Sequence, residues 1–227
     1  MILIKDLNVS YGLKSKVLNS LSLSLPEGSI HGIVGLNGSG KTTLLNAIYG
    51  LKSIDSGEIT CNGGRVSKRD VSYLTTESYL YSNITGREYL GLFNNNVFDA
   101  DRWNQLFSLP LNQVINSYST GMRKKLAVLG VLKQDKPIMI LDEPFNGLDI
   151  EACRVIRTLL LRLKEQGRLI VATSHIIETL TNLCDYIHYL NDGKIMLSKG
   201  KDEFAEFTQY LNDHLDTRNS QVIEGIL

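Results

Sequence analysis

Apolar and polar positions alternate loosely over Ile2, Ile4, Leu7 and Val9, and again over Val17, Leu18, Leu21, Leu23 and Leu25. A period near two predicts a pair of early antiparallel strands. Pro26-Glu27-Gly28 then turns the chain into the apolar run Ile30, Ile33, Val34, read as a buried strand, and Thr43 to Ile48 read as a helix. Ser56 to Cys61, followed by Asn62-Gly63-Gly64, predicts a strand entering a tight hairpin, since Asn-Gly supplies the positive φ angles such turns need. Val71 to Leu74 is another strand, ending in the polar loop Thr75-Thr76-Glu77-Ser78.

From Tyr79 to about Asp135 the spacing becomes helical, through Tyr89, Leu90 and Phe93, then Trp103, Leu106 and Phe107, then Leu126, Leu129, Val131 and Leu132. The pattern predicts a helical insertion whose aromatics form a small core of their own, with a docking surface as the other reading for Tyr79, Tyr81 and Phe93. Two buried strands follow, Ile138 to Leu141 and Leu169 to Thr173, with a helix from Ile150 to Gln166 between them. Strand, helix, strand at this spacing implies a right-handed parallel crossover, which puts Asp142, Glu143 and His175 on one sheet edge. Tyr186 to Leu190 and Lys194 to Leu197 form a hairpin across Asp192-Gly193, and Phe204, Phe207, Leu211 and Leu215 mark one stripe of a terminal docking helix.

A length of 227 residues allows one substantial core with a grafted subdomain. Lysine and arginine number 24 against 24 aspartate and glutamate, so the net charge is zero and a dedicated nucleic-acid surface is not expected. Cys61, Cys153 and Cys184 are odd in number, widely separated and outside any metal-ligand spacing, as ordinary buried thiols in a reducing cytosol would be. The N-terminus lacks the pattern of a signal peptide, and no apolar run is long enough to span a bilayer, so membrane association must come through a partner.

The candidate chemistry centres on Gly35 to Thr42, G-L-N-G-S-G-K-T, which fits G-x-x-x-x-G-K-[ST] between a strand and a helix. Gly35, Gly38 and Gly40 let the backbone N–H groups converge into an anion-binding nest at a helix N-terminus, a seat for a polyphosphate. Lys41 would reach the β- and γ-phosphates, and the Thr42 hydroxyl would ligate Mg²⁺. Asp142 and Glu143 end an apolar strand beside that loop; one carboxylate can hold Mg²⁺ while the other polarises an attacking water, although Asp142 as a helix N-cap is the plain alternative. His175, on the same edge, can donate to the γ-phosphate or fix the water against Glu143. Ser119, as N-cap, and Gly121 open a second helix as another anion site. If the two half-sites cannot meet in one chain, a head-to-tail dimer clamps the nucleotide between them. Tyr11, beside Gly12, is either a stacking platform for a flat base or a tyrosine packed on its own sheet.

These motifs, in this order over roughly Met1 to Gly200, resemble the nucleotide-binding subunit of ABC transporters. The resemblance implies an α/β fold: a P-loop NTPase core with a mainly parallel sheet, an antiparallel β layer and an inserted helical subdomain. It divides a single cassette into residues 1–77 plus 136–200 as core and β layer, 78–135 as helical subdomain and 201–227 as a helical tail. Tyr11 resembles the adenine-stacking aromatic with Val17 packing nearby, and Gly35, Asn37, Gly38, Ser39, Gly40, Lys41, Thr42 and Thr43 the phosphate-binding set. Tyr118 to Met122 resembles the signature L-S-G-G-Q, which places Ser119, Gly121 and Met122 against a nucleotide. Asp142 and Glu143 resemble the Mg²⁺ and catalytic carboxylates, Asn146-Gly147-Leu148-Asp149 the dimer-contact loop, and His175 the switch histidine.

The implied cofactors are ATP and Mg²⁺, and the implied partners a separate transmembrane permease and a second copy or related ATPase subunit, with no nucleic acid. The implied place is cytoplasmic, peripheral on the inner face of the membrane. Y-S-T-G-M departs from the signature at Thr120, as in single-domain export ATPases. Thr76 stands where the family usually places a glutamine that reaches Mg²⁺ and water, and it predicts a slow basal ATPase; Glu77, a bridging water or a shifted loop would have to compensate. Export through a permease is the leading expectation; a soluble ABC-type ATPase without a transport role and a nucleotide-binding module without turnover are the alternatives.

Overall fold

The computed structural model describes residues 1–12, 15–77 and 79–224. Ser78 of the expected polar loop and the side chain of Leu215 on the expected helical stripe lie outside what is described. The early alternation forms β1 (Ile2–Tyr11) and β2 (Ser15–Leu25), paired antiparallel. Its looseness has a cause: the register shifts between Ile4 and Leu7, where Asp6 takes a φ of 46° and bulges the strand. β3 (Ile30–Val34) and α1 (Lys41–Tyr49) flank the glycine-rich loop, and β4 (Ser56–Cys61) and β5 (Gly64–Arg65) make the Asn62-Gly63 hairpin. β6 (Val71–Leu74) follows, and after it come α2 (Gly86–Gly91), α3 (Ala100–Asn104) and α4 (Thr120–Lys133). The remaining elements are β7 (Ile138–Leu141), α5 (Ile150–Glu165), β8 (Leu169–Ser174), α6 (Ile177–Thr181), β9 (Tyr186–Asn191), β10 (Lys194–Gly200) and α7 (Phe204–Glu224).

Two sheets result: a four-stranded antiparallel sheet in the order β2-β1-β4-β5, and a six-stranded sheet in the order β10-β9-β3-β8-β7-β6. From β9 to β6 every pairing is parallel, which brings the C-terminal ends of β3, β7 and β8 to one edge. One apolar cluster fills the space between the sheets, where Leu44, Leu45 and Ile48 of α1 meet Ile2, Ile4, Ile33 and Ile140. The other covers the opposite face, joining Met139, Leu141 and Ile170 to residues of α4, α5 and α7.

That second cluster corrects one expectation. Leu90, Leu109, Leu111, Ile115 and the buried side of α4 belong to the same cluster as Met139 and Leu141, so the helical segment has no separate core. α4 is the reason, since its apolar stripe packs directly beside β6. Phe93 turns inward, edge-on to Tyr89, whereas Tyr79 and Tyr81 are 86% and 68% exposed. Phe204, Phe207 and Leu211 bury α7 against the same cluster. Of the cysteines only Cys184 is buried, and its thiol is pushed up by that burial; Cys61 and Cys153 are half-exposed.

The turn between β9 and β10 ties the layers together. Gly193 donates its N–H to the Ser39 carbonyl (3.2 Å) and accepts from the Asn19 N–H (3.0 Å). Its φ is 73°, and a Cβ there would lie 2.2 Å from the Val17 carbonyl oxygen, so only glycine fits.

Candidate functional site

Gly35 to Gly40 bend tightly between β3 and α1, with Gly38 and Gly40 at φ 82° and 109°. A side chain at Gly40 would strike Leu18, and one at Gly35 would strike the Leu190 carbonyl, so the loop backbone lies pressed onto the strands beneath it. Lys41 is buried, and its ammonium donates to the carbonyls of Gly35 (2.7 Å) and Leu36 (3.2 Å). Burial lowers its pKa, while the nearby charges of Glu143 and Asp142 oppose that shift. Ser39 has a buried hydroxyl without a hydrogen-bond partner among the described residues.

Asp142 sits at the end of β7, 1% exposed. Its Oδ2 accepts from the Thr42 hydroxyl at 2.7 Å and its Oδ1 from the Thr173 hydroxyl at 2.6 Å. The Thr173 oxygen in turn accepts from the Glu143 N–H at 2.9 Å. Glu143 takes a left-handed φ of 50°, a conformation costing about 1 kcal/mol or more in a non-glycine residue, and the Thr173 bond helps hold it there. Its Oε2 lies 3.2 Å from His175 Nδ1. The glycine-rich loop, the acid pair and the histidine therefore meet, as their strands predict.

A cleft of about 360 Å³ opens beside them, lined by Val17, Asn37, Gly38, Gly40, Lys41, Thr42 and Thr43 from the first part of the chain and by Thr76, Asp142 and Glu143 from elsewhere. Hard oxygens converge in it from Thr42 and Asp142, a donor set that suits Mg²⁺. The buried lysine and the left-handed loop suit a polyphosphate. Thr76 borders the cleft through an exposed side chain, and Glu77 is not among the lining residues.

Six of the expected nucleotide contacts, Tyr11, Gly35, Ser39, Ser119, Gly121 and Met122, are not among the residues that line this cleft, and neither is His175. Tyr11 ends β1 rather than sitting in a loop, 48% exposed, with the Lys52 ammonium 4.2 Å above its ring. Ser119 caps α4 by accepting from the Met122 N–H at 3.2 Å, and the Met122 side chain packs inward on the core. A side chain at Gly121 would come within 3.3 Å of the Gly147 carbonyl oxygen, so this helix start rests on the Asn146–Asp149 loop of the same chain. Glu143 and His175 also border a second hollow of about 430 Å³, lined by Asn146, Gly147, Leu148 and the exposed Ile150 and Ile176.

Sequence reasoning missed two residues here. Thr173 reads as one more β-former in an apolar strand and gives no separate signal. Lys124 reads as part of a solvated basic run, yet it is 5% exposed; its spacing to Ala127, Val128 and Val131 on the apolar stripe of α4 is the sign that marks it as inward-facing.

Comparison with known proteins agrees with this geometry. The family described as ABC transporter matches residues 18–146, more than half of the chain. The lantibiotic transport ATP-binding protein SrtF of Streptococcus pyogenes is 29% identical over 224 residues, covering 95% of this chain and 97% of its own. The bacitracin transport ATP-binding protein BcrA of Bacillus licheniformis is 29% identical over 234 residues, covering 96% of this chain and 72% of its own. A solved ATP-binding subunit of an ABC transporter superimposes with a TM-score of 0.83 at 26% identity, over 92% of this chain and 93% of that one. With the phosphate loop, acid pair and histidine assembled on one sheet edge, the chain belongs to the ABC transporter family, as one of its ATP-binding ATPase subunits.

Proposed function

We propose that this chain hydrolyses Mg²⁺-ATP in the 360 Å³ cleft as one half of a head-to-tail dimer and thereby drives export through a separate membrane-spanning permease, on whose cytoplasmic side it sits. The observation that carries the reading is the unbroken hydrogen-bonded path from Thr42 through Asp142 and Thr173 to Glu143 and His175, which joins the phosphate loop to the acid pair. Lys41 holds the β- and γ-phosphates. Thr42 and Asp142 would hold Mg²⁺, with Thr76 at the rim too short to reach it except through a water, and the ion would neutralise charge on the phosphate oxygens. Glu143 takes a proton from the attacking water as its oxygen bonds to the γ-phosphorus and the bond to ADP breaks. His175 orients the Glu143 carboxylate.

Ser119, Gly121 and Met122 do not line the cleft of their own chain, which supports their serving the cleft of a second copy or a related subunit. Exposed Ile150 and Ile176, beside the Asn146–Asp149 loop, supply apolar surface for that closure. No helix among the described residues is long and apolar enough to cross a membrane, and the proposed reading assigns the crossing to the permease. The names of SrtF and BcrA couple those proteins to lantibiotic and bacitracin transport, which supports a peptide-like cargo. Phosphate release by the purified chain, an ATP-trapped dimer of Glu143→Gln in size-exclusion chromatography, and co-purification of a membrane protein from detergent extracts test the three parts. Glu143→Gln is expected to bind ATP and lose about 10²–10⁴ in turnover; retained turnover removes Glu143 from the mechanism.

A further inference from the structure

Lys124 is a buried cation that the reaction as described does not use. Its Nζ donates to the carbonyls of Thr75 and Thr76 (both 3.3 Å) and reaches the Asp142 carbonyl at 3.5 Å. An ammonium has three donors and no acceptor, so three carbonyls from the ends of two neighbouring strands match it fully. Burial pushes its pKa down to about 8, against the nearby carboxylates of Asp142 and Glu143, which favour the charged form. The next residue, Lys125, pairs with Asp149 at 2.7 Å. Two consecutive lysines of α4 thus grip the first and last residues of the segment Asp142 to Asp149, while Gly121, one turn earlier, rests on Gly147 in its middle.

We propose that Lys124 is a positioning residue for hydrolysis, fixing the Thr76 loop and the Asp142 backbone to the helix that starts at Ser119, so that the acid pair of one cleft keeps a set distance from the serine turn offered to the other. The inference rests on the hydrolytic reading of the cleft. A lysine placed only to satisfy the core would stabilise the chain without regard to turnover. A positioning lysine sets the geometry in which the water, Glu143 and the closed dimer meet, and small misplacements there act on the chemical step rather than on ATP binding. Thr76 increases the demand for such a tether: its short side chain cannot anchor the loop across the cleft, whereas its carbonyl is held from behind by Lys124.

The test compares the full chain with Lys124→Met, which keeps the length and removes the donors, and Lys124→Gln, which keeps a neutral donor pair. Phosphate release against ATP concentration is expected to show kcat about tenfold or more lower in Lys124→Met, with KM within about twofold of the parent. Lys124→Gln is expected to recover a substantial part of kcat. In the nucleotide-free chain, amide exchange over residues 75–77 should quicken in Lys124→Met and return towards the parent rate in Lys124→Gln. Unchanged kcat and unchanged exchange in both variants would overturn the positioning role, as would a loss of kcat matched by an equal rise in KM. If Lys124→Met does not fold, Lys124→Gln decides: a lowered kcat at constant KM with faster exchange over 75–77 supports the role, and parent values in both overturn it. A parent chain that binds Mg²⁺-ATP but releases no phosphate would overturn the hydrolytic reading, and this inference with it.

Discussion

The Thr173 hydroxyl donates to Asp142 Oδ1 at 2.6 Å and is itself completely buried. The same oxygen takes the Glu143 N–H, so one hydroxyl sets both the rotamer of the first carboxylate and the left-handed backbone of the second. Thr173→Val keeps the shape and removes both bonds. It is expected to lower kcat about 10- to 100-fold, the usual effect of losing a group that orients a metal-binding carboxylate, with ATP affinity changed far less. Thr173→Ser should restore most of the rate; steady-state phosphate release on the pair of variants checks both.

Lys41→Ala removes the ammonium that caps Gly35 and Leu36 and that the cleft offers to phosphate. The expected outcome is a loss of ATP affinity of about 10- to 100-fold, the range for charge-assisted hydrogen bonds. Equilibrium titration with a fluorescent nucleotide measures it directly, and an unchanged dissociation constant would remove Lys41 from the site.

Thr76→Gln extends an exposed side chain at the rim of the cleft without disturbing the carbonyl that Lys124 holds. A side-chain amide there can reach towards Thr42 and Asp142, so basal turnover should rise and half-maximal activity should need less Mg²⁺. Activity measured across a Mg²⁺ titration decides, and no gain in either quantity counts against a slow basal rate arising from Thr76.

Acid stability should be governed by a buried histidine pair that joins β3 to β9. His31 Nδ1 and His188 Nε2 face each other at 3.1 Å, and their outer nitrogens meet Ser29 and Ser198, each at 2.8 Å. One proton shared across the 3.1 Å gap satisfies both rings, and a second would set two donors against each other. Burial accordingly holds His31 down to about 4 and His188 to about 3, with the neighbouring ring adding to the second. Because the folded values lie below the unfolded value near 6.5, stability is full above pH 6.5 and falls as the pH drops towards 4, where His31 alone removes about 3 kcal/mol. Denaturant midpoints between pH 7 and pH 4.5 should decline steeply in the parent and less steeply in His31→Gln.

What could be read from the sequence followed from local rules. The glycine spacing of the phosphate loop, the Asn62-Gly63 hairpin and the Ser119 cap each depend on a few adjacent residues, and each forms where its pattern falls. The strand order β10-β9-β3-β8-β7-β6 interleaves early and late segments and has no counterpart in residue spacing. For the same reason the His31–His188 pair, drawn from β3 and β9, was invisible, as was the bond from Thr173 in β8 to Asp142 in β7. Lys124 was hidden differently: its neighbours Arg123 and Lys125 are polar, and only the packing of α4 beside β6 turns the middle residue of that run inward. The helical spacing of residues 79–135 predicts a separate core because periodicity reports which face is apolar and not what that face meets.

The bare backbone of Gly193 has a final consequence. Because that single residue is bonded at once to the phosphate loop through Ser39 and to β2 through Asn19, the first part of β2, which carries Val17, and the phosphate loop are tied into one block. In the proposed head-to-tail dimer that tie would make the span from Val17 to the phosphate loop a built-in length, and the stroke on closure would come from the Ser119 side of the second copy.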